Sequence, residues 1–510
     1  MRALAGGERG GMSLFLGLDI GTTSTIGVII GLPDRIVGLR SRPVSLSSPQ
    51  PGWAEEDPED WWSNVRAILS EFAGDGIDLS QIVGVGVTGM LPALVLLDDS
   101  GAVIRPSIQQ SDGRCGDEVA ELKAEVDETA FLRKAGNGVN QQLVAPRLRW
   151  IARHEPKQFS RIATVFGSYD YINWRLTGLR AIEQNWALEA GFVDLARQDL
   201  DDDLIALAGV PRPAIPPRSL SHRILGGVTA AAAEATGLRA GTPVGGGAAD
   251  LIASALAAGL TQSGDVLLKF GGSVDVLVAT DHAAPDPRLY LDHHLVPGLW
   301  VPNGCMSTGG SGLNWFARTL AGGEREAAEA AGISLHAHLD RLAEAVPAGA
   351  EGVLALPYFL GEKTPIHDPA ARGIFAGLSL SHGLAHLWRA LLEGYAYAIA
   401  HHVEVLRDIG HRPARFLVSD GGSTSRVWMQ IVSDVLQAPL HTLRGHPGSC
   451  LGAAWTAAIG TGATRDWNGI AAFVTPGDVI RPDPGNAAVH RAGYTRFRQL
   501  YTDTSGRGAA

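Results

Sequence analysis

Cysteine is nearly absent from this sequence: Cys115, Cys305 and Cys450 are the three thiols in 510 residues. An odd number of widely spaced cysteines, with no CxxC pair, excludes a disulfide framework and offers no ligand spacing for structural zinc. A reducing, cytoplasmic compartment is therefore expected. Positive charge is scarce too. Lys and Arg number 42 against 53 Asp and Glu, a formal charge of −11. That balance repels phosphate backbones and anionic lipid, so neither nucleic acid nor membrane is an expected partner. No apolar run approaches the roughly 18–20 residues of a membrane helix. The first residues, 1–12, are Gly-rich and carry Arg2 and Arg9 but lack the apolar stretch of a signal peptide. They are expected to form a disordered leader, with Met12 an alternative start. Third ligands are also missing: the pairs His293-His294 and His401-His402 have none in sight, and adjacent residues on a strand point oppositely, so neither pair is expected to hold metal.

Glycine is plentiful, at 64 residues, and clusters between apolar runs where backbone must turn sharply or approach a ligand. The chain is too long for one ordinary core, so at least two domains are expected. Residues 14–20, LFLGLDI, read as a buried strand and 26–30, IGVII, as its partner, joined by the short polar turn Gly21-Thr22-Thr23-Ser24-Thr25. Asp19 stands near the end of the first strand, and a bare carboxylate there is costly unless it is paired or binds a cation. Capping the turn backbone is the alternative role. The same device returns later: strand 266–270, then Gly271-Gly272-Ser273, then strand 274–278. Two such turns suggest a duplicated architecture with a nucleotide between its halves, since successive backbone N–H groups form anion-binding nests.

Residues 82–87 and 94–97 read as further strands, 98–101 as a turn, and 116–135, 146–155 and 170–176 as helices. Pro243 leads through a glycine run to Asp250, and a small-residue helix over 251–258 ends at Gly259, placing a domain boundary near 260. Residues 415–420 read as a strand, Gly421-Gly422 as a tight turn, and Ser423 or Thr424 as the N-cap of a helix with a buried stripe. Residues 448–459 read as another small-residue helix able to pack closely. The expected division is a leader to residue 12, domains over 13–260 and 261–485, and a C-terminal tail over 486–510.

In this order the segments LGLDIGTTS (16–24), LVLLD (94–98) leading to SDGR (111–114), GVLALPYFLGEKTP (352–365) and DGGS (420–423) with Trp428 resemble the FGGY carbohydrate kinases over roughly residues 13–485. The resemblance implies an α/β fold of two actin-like (RNase H-like) ATPase domains, closing over ATP, Mg²⁺ and a sugar. It implies Asp250 as the base that takes the hydroxyl proton, although Asp250 also stands where an N-cap belongs. It implies Asp19 as the metal-associated carboxylate. Gly21, Thr22, Thr23, Gly271, Gly272 and Ser273 fall at the phosphates, and Gly309, Gly310, Gly421, Gly422 and Ser423 at the nucleotide. Met90, Leu91, Asp112, Arg114 and Glu183, with Asp250, fall at the substrate. Departures are visible. Gln110 replaces the Trp of the family's W-x-D-x-R, and Met90-Leu91-Pro92 stands where its xylulose-specific members carry Gln-Met-His. D-xylulose is the first expected sugar, with ribulose, erythritol or glycerol open; an actin-like ATPase or a sugar-binding pseudokinase is the other class. The expected partner is a small sugar; the oligomeric state is left open, with a homodimer one option.

Overall fold

The computed structural model of the chain describes residues 12–445 and 448–505. They divide into two compact units. The first holds the residues up to Gly259 and those from Gly448 to Phe473; the second holds Leu260–Gly445 and the residues from Val474 onward. The expected leader, apart from Met12, lies outside the described residues.

In the first unit, β1 (Leu14–Ile20) and β2 (Ser24–Gly31) form the expected hairpin, and β3 (Arg35–Pro43) extends it antiparallel. On the other side β1 pairs in parallel with β4 (Ile82–Gly89). Beyond β4 come β5 (Ile224–Gly227) and β6 (Pro243–Gly245), and the sheet reads β5-β6-β4-β1-β2-β3. The short β7 (Ala248–Ala249) continues alongside the end of β4. β1 is apolar nearly throughout because it is central, with Phe15, Leu16, Leu18 and Ile20 fully buried. Helix α1 (Pro58–Gly74) starts where Asp57 accepts from Glu59 N and Pro58 occupies the first turn. Trp61, Val65, Ile68, Leu69 and Phe72 recur on one face of α1 and are buried. Helices α2 (Ser168–Thr177) and α3 (Asp250–Ala257) follow. The single helix expected over 116–135 is two, Gly116–Glu125 and Glu128–Ala135, because Asp127 N-caps the second.

The second unit repeats the plan. β8 (Asp265–Phe270) and β9 (Val274–Val278) are a hairpin, with β10 (Tyr290–His293) and β11 (Trp300–Cys305) beyond β9. β12 (Arg415–Ser419) is parallel to β8, followed by β13 (Leu440–Arg444) and β14 (Thr475–Ile480). The order β10-β11-β9-β8-β12-β13-β14 repeats the path of the first sheet with β10 added at its edge, and each sheet has seven strands. Its helices include α4 (Gly310–Leu320), the 25-residue α5 (Leu384–Asp408) and α6 (Arg426–Leu436). Phe316, Trp388, Tyr395, Val418, Trp428 and Met429 belong to the core of this unit.

Two segments pack away from where chain order would put them. Helix α7 (Ser449–Gly460), within the stretch expected as the second domain, packs in the first compact unit. It lies directly on the first sheet: a Cβ on Gly17 of β1 would meet Cys450 O at 1.9 Å, and one on Gly86 of β4 would meet Ala453 O at 2.0 Å. Only bare backbone on the sheet permits that approach. The expected tail after 486 is helix α8 (Ala487–Thr504), whose His490, Gly493 and Phe497 are buried within the second unit. No helix among the described residues is long and apolar enough to cross a membrane.

Candidate active site

In the first unit three strand ends lie side by side. Asp19 of β1 is level with Thr88 of β4, Ile20 with Gly89, and Ala249 of β7 with the same Gly89. Thr88 Oγ1 donates to Ala248 O at 2.9 Å and Met90 N to Ile20 O at 3.1 Å, which ties the three ends together. Asp19, Met90 and Asp250 are thus delivered to one edge, the carboxyl ends of neighbouring parallel strands, where open α/β sheets bind ligands.

Asp19 is 8% exposed, and its Oδ2 accepts a 2.5 Å hydrogen bond from Ser449 Oγ. Ser449 opens α7, so the carboxylate stands at a helix N-terminus, where the macrodipole favours negative charge. The thiol of the adjacent Cys450 is pushed up, first by burial and then by the Asp19 charge. Gly21 N donates to Ser24 O at 3.1 Å and closes the first turn, and Thr22 Oγ1 reaches Met90 Sδ at 3.5 Å; Thr23 is exposed. Asp250 does not occupy the N-cap: Ala249 does, without a side-chain bond. Asp250 lies one residue inside, partly exposed, its Oδ1 accepting from Leu251 N at 2.6 Å.

The expected substrate residues fare differently. Asp112 Oδ1 accepts from Arg114 N and Nε, and Oδ2 from Ala54 N and Arg114 Nη2, at 2.6–3.0 Å. Burial works against its charge, but these bonds hold the carboxyl below its usual range. The Arg114 guanidinium lies 3.8 Å over the Trp53 ring and 5.0 Å from that of Trp150, and also pairs with Glu55 at 2.7 Å. Sequence reasoning missed Trp53 and Trp150. The Pro51-Gly52-Trp53 turn was the available signal for the first. Met90 and Leu91 are buried. Glu183 is fully buried, with Oε1 accepting from Ser221 Oγ and Oε2 from Tyr169 Oη and the Asn185 and Trp186 amides. The two amide bonds cap the helix Gln184–Glu189.

The second unit holds a cavity of about 460 Å³ whose lining includes Gly271, Gly272, Gly310, Gly421, Gly422 and Trp428. The turn between β8 and β9 is clamped onto the start of α4. Gly309 N and Ser311 N donate to Gly272 O and Gly310 N to Gly271 O, at 2.8–3.0 Å. A Cβ on Gly310 would stand 2.7 Å from Gly271 O, so the contact requires glycine. Asp340, absent from the sequence reading, also lines it; its oxygens accept from Trp388 Nε1 at 2.9 Å and Ser425 Oγ at 2.7 Å. Burial raises the Asp340 carboxyl above its ordinary range, and these bonds partly offset it. Ser425, not Ser423 or Thr424, caps α6 by accepting from Trp428 N. Ser423 donates to Asp420 O at 2.6 Å, and Ser423, Ser273 and Gly309 are not among the lining residues, whereas Thr424 and Ser425 are.

Among the described residues no cluster of three His, Cys, Asp or Glu is grouped to hold a metal ion. A single carboxylate such as Asp19 still fits Mg²⁺, which completes its shell with water and phosphate oxygens.

Comparison with known proteins gives a family at this point. The model of the FGGY carbohydrate kinase N-terminal domain matches residues 14–257, and that of the C-terminal domain matches residues 269–461. A xylulose kinase of Escherichia coli K12 is 29% identical over 491 residues, spanning 96% of this chain and 98% of its own. One from Bacillus subtilis 168 is 26% identical over 497 residues, 97% of each chain. Among solved structures, xylulose kinase from Rhodospirillum rubrum superposes with a TM-score of 0.92 at 58% identity, covering 98% of this chain and all of that one.

Proposed function

The chain belongs to the FGGY family of carbohydrate kinases, and on that premise we propose that it transfers the γ-phosphate of ATP to xylulose, forming xylulose 5-phosphate. The observation that carries the choice of sugar is the 58% identity, over nearly the full chain, to the Rhodospirillum xylulose kinase. The kinase class itself, with ATP as donor and two actin-like domains, follows from the family.

The chemistry assigned to residues is as follows. Asp250, partly exposed at the start of α3, takes the proton of the attacking hydroxyl, and its neighbour Leu251 N fixes the carboxylate's orientation. Asp19 would hold Mg²⁺ through water, and the ion would supply neutralisation of phosphate charge. The turns at Gly21–Thr23 and Gly271–Ser273 offer backbone N–H groups to phosphate oxygens. The second unit's cavity takes the adenosine, with Gly421, Gly422, Thr424 and Trp428 in its lining and Asp340 available to a polar edge of the base. Asp112 and Arg114 shape the sugar pocket, Arg114 acting by holding Asp112 ionised.

A coupled ADP-release assay over pentuloses, hexuloses and polyols with Mg²⁺ tests this reading. Xylulose should drive turnover, and Asp250→Ala should lower kcat by about 10²-fold or more while nucleotide binding persists. Turnover driven by ribulose, erythritol or glycerol in place of xylulose would overturn the sugar and leave the kinase. An Asp250→Ala variant with undiminished kcat would overturn the base.

A further inference from the structure

The first unit carries a cavity of about 650 Å³ that this chemistry does not use. Arg180, Arg212 and Arg218 line it, and Asp199 is the one carboxylate among the described residues on its wall. The wall is stiff: Pro213, Pro216 and Pro217 restrict the backbone, and Arg218–Ser219 pairs in parallel with Ile182–Glu183.

Its positive charge is poorly compensated. Arg212 donates to Asp202 at 2.7 Å and to Ile215 O at 2.9 Å, but the Asp202 side chain is 82% exposed, so water screens that pair. Arg218 approaches Asp199 only to 3.8 Å, and Asp199 is 72% exposed. Arg180 has no ion-pair partner among the described residues. Three guanidinium groups thus line one cavity against two exposed carboxylates, which leaves it a net positive lining suited to an anion. An independent observation points the same way. Thr164 also lines the cavity, is 1% exposed, and its Oγ1 is buried with no hydrogen-bond partner. A buried hydroxyl left unbonded is destabilising, and a ligand oxygen in the cavity would satisfy it.

We propose that this cavity binds the phosphoryl group of a small phosphate ester. A tetrahedral dianion presents three outer oxygens to donors arriving from several sides, which suits three guanidinium forks and one hydroxyl; a planar carboxylate suits one or two. The volume exceeds what inorganic phosphate fills, leaving room for the organic part of the ester.

Calorimetric titration of the full chain at low salt, without nucleotide or sugar, tests this with glycerol 2-phosphate, pyrophosphate and inorganic phosphate as probes. Succinate serves as the carboxylate control. Glycerol 2-phosphate should bind at one site more tightly than inorganic phosphate, and the Arg180→Gln/Arg218→Gln double variant should weaken it by about ten-fold or more. Thr164→Val should weaken binding while leaving the melting temperature unchanged or higher, since it removes an unpartnered hydroxyl. That split separates ligand loss from unfolding. Unaltered binding in the double variant would assign the heat to the phosphate turns and overturn the site. Succinate binding as tightly as the ester would overturn the phosphoryl preference, tighter binding of inorganic phosphate or pyrophosphate would overturn the ester, and no heat from any probe would overturn the proposal outright.

Discussion

Glu183 and Asp112 are both buried carboxylates, yet their neighbours drive them in opposite directions. Glu183 has no cation beside it; burial raises its carboxyl to about 7 despite four hydrogen bonds. A raised folded-state value means the folded chain holds this proton where the unfolded chain has released it. The contribution of Glu183 to stability is therefore fully present below the unfolded carboxyl value of about 4.5 and is lost as pH rises toward 7. Glu183→Gln should flatten that decline, measured as a smaller difference between thermal midpoints at pH 5 and pH 8 than the unaltered chain shows. An unchanged difference would show that Glu183 does not titrate there. Asp112 is held ionised by Arg114, whose own guanidinium is locked between Asp112, Glu55 and the Trp53 ring. Arg114→Ala leaves the buried Asp112 carboxylate without its cation, while Glu55 keeps its pair with Arg105, and should cost about 3–5 kcal/mol in urea unfolding. A cost near that of a surface pair would refute the buried-network account.

At the scale of elements, α7 decides the geometry around Asp19. Its small residues lie on bare strand backbone at Gly17 and Gly86, and its first residue, Ser449, donates to Asp19. Gly17→Ala places a methyl where Cys450 O stands, so the helix must shift; we expect a loss of about 3 kcal/mol, toward the upper end for overpacking. Activity should fall with it, because the shift moves Ser449 off Asp19. Equilibrium unfolding and the ADP-release assay on one preparation would check both, and a stable, fully active Gly17→Ala chain would exclude the tight seating. The elements carrying the clearest local signals were legible: both hairpins, the strand into Gly421-Gly422, and the small-residue helix after 448. Less legible were β3, α1, α5 and α8. The face that α8 buries is short, His490, Gly493 and Phe497, and its remaining residues read as polar surface.

At the scale of the molecule, the first unit is not a continuous stretch of sequence, because its sheet is covered by a helix encoded after most of the second unit. Residues 1–259 produced alone should expose the glycine-lined sheet face and fail to give a cooperative thermal transition. Supplying 446–473 through a linker should restore one. A cooperative transition from 1–259 alone would show that α7 is dispensable. The three thiols should also resist modification. Cys115 and Cys450 are buried, Cys305 is partly so, and burial pushes all three up from their ordinary range. Ellman's reagent should react quickly only after denaturation; rapid reaction of the native chain would contradict that burial.

The sequence by itself determined the family and the duplicated hairpins, because turns, strand alternation and glycine clusters are local signals carried by consecutive residues. Only the tertiary structure decided which groups remain available for chemistry. It buried Glu183 at a helix N-terminus, put the N-cap at Ser425 rather than Ser423 or Thr424, seated Asp250 one residue inside α3, and brought in Trp53, Trp150 and Asp340 from distant segments. The physical reason is that a hydrogen-bond acceptor or a buried charge is defined by its neighbours in space, and those neighbours come from segments tens to hundreds of residues away.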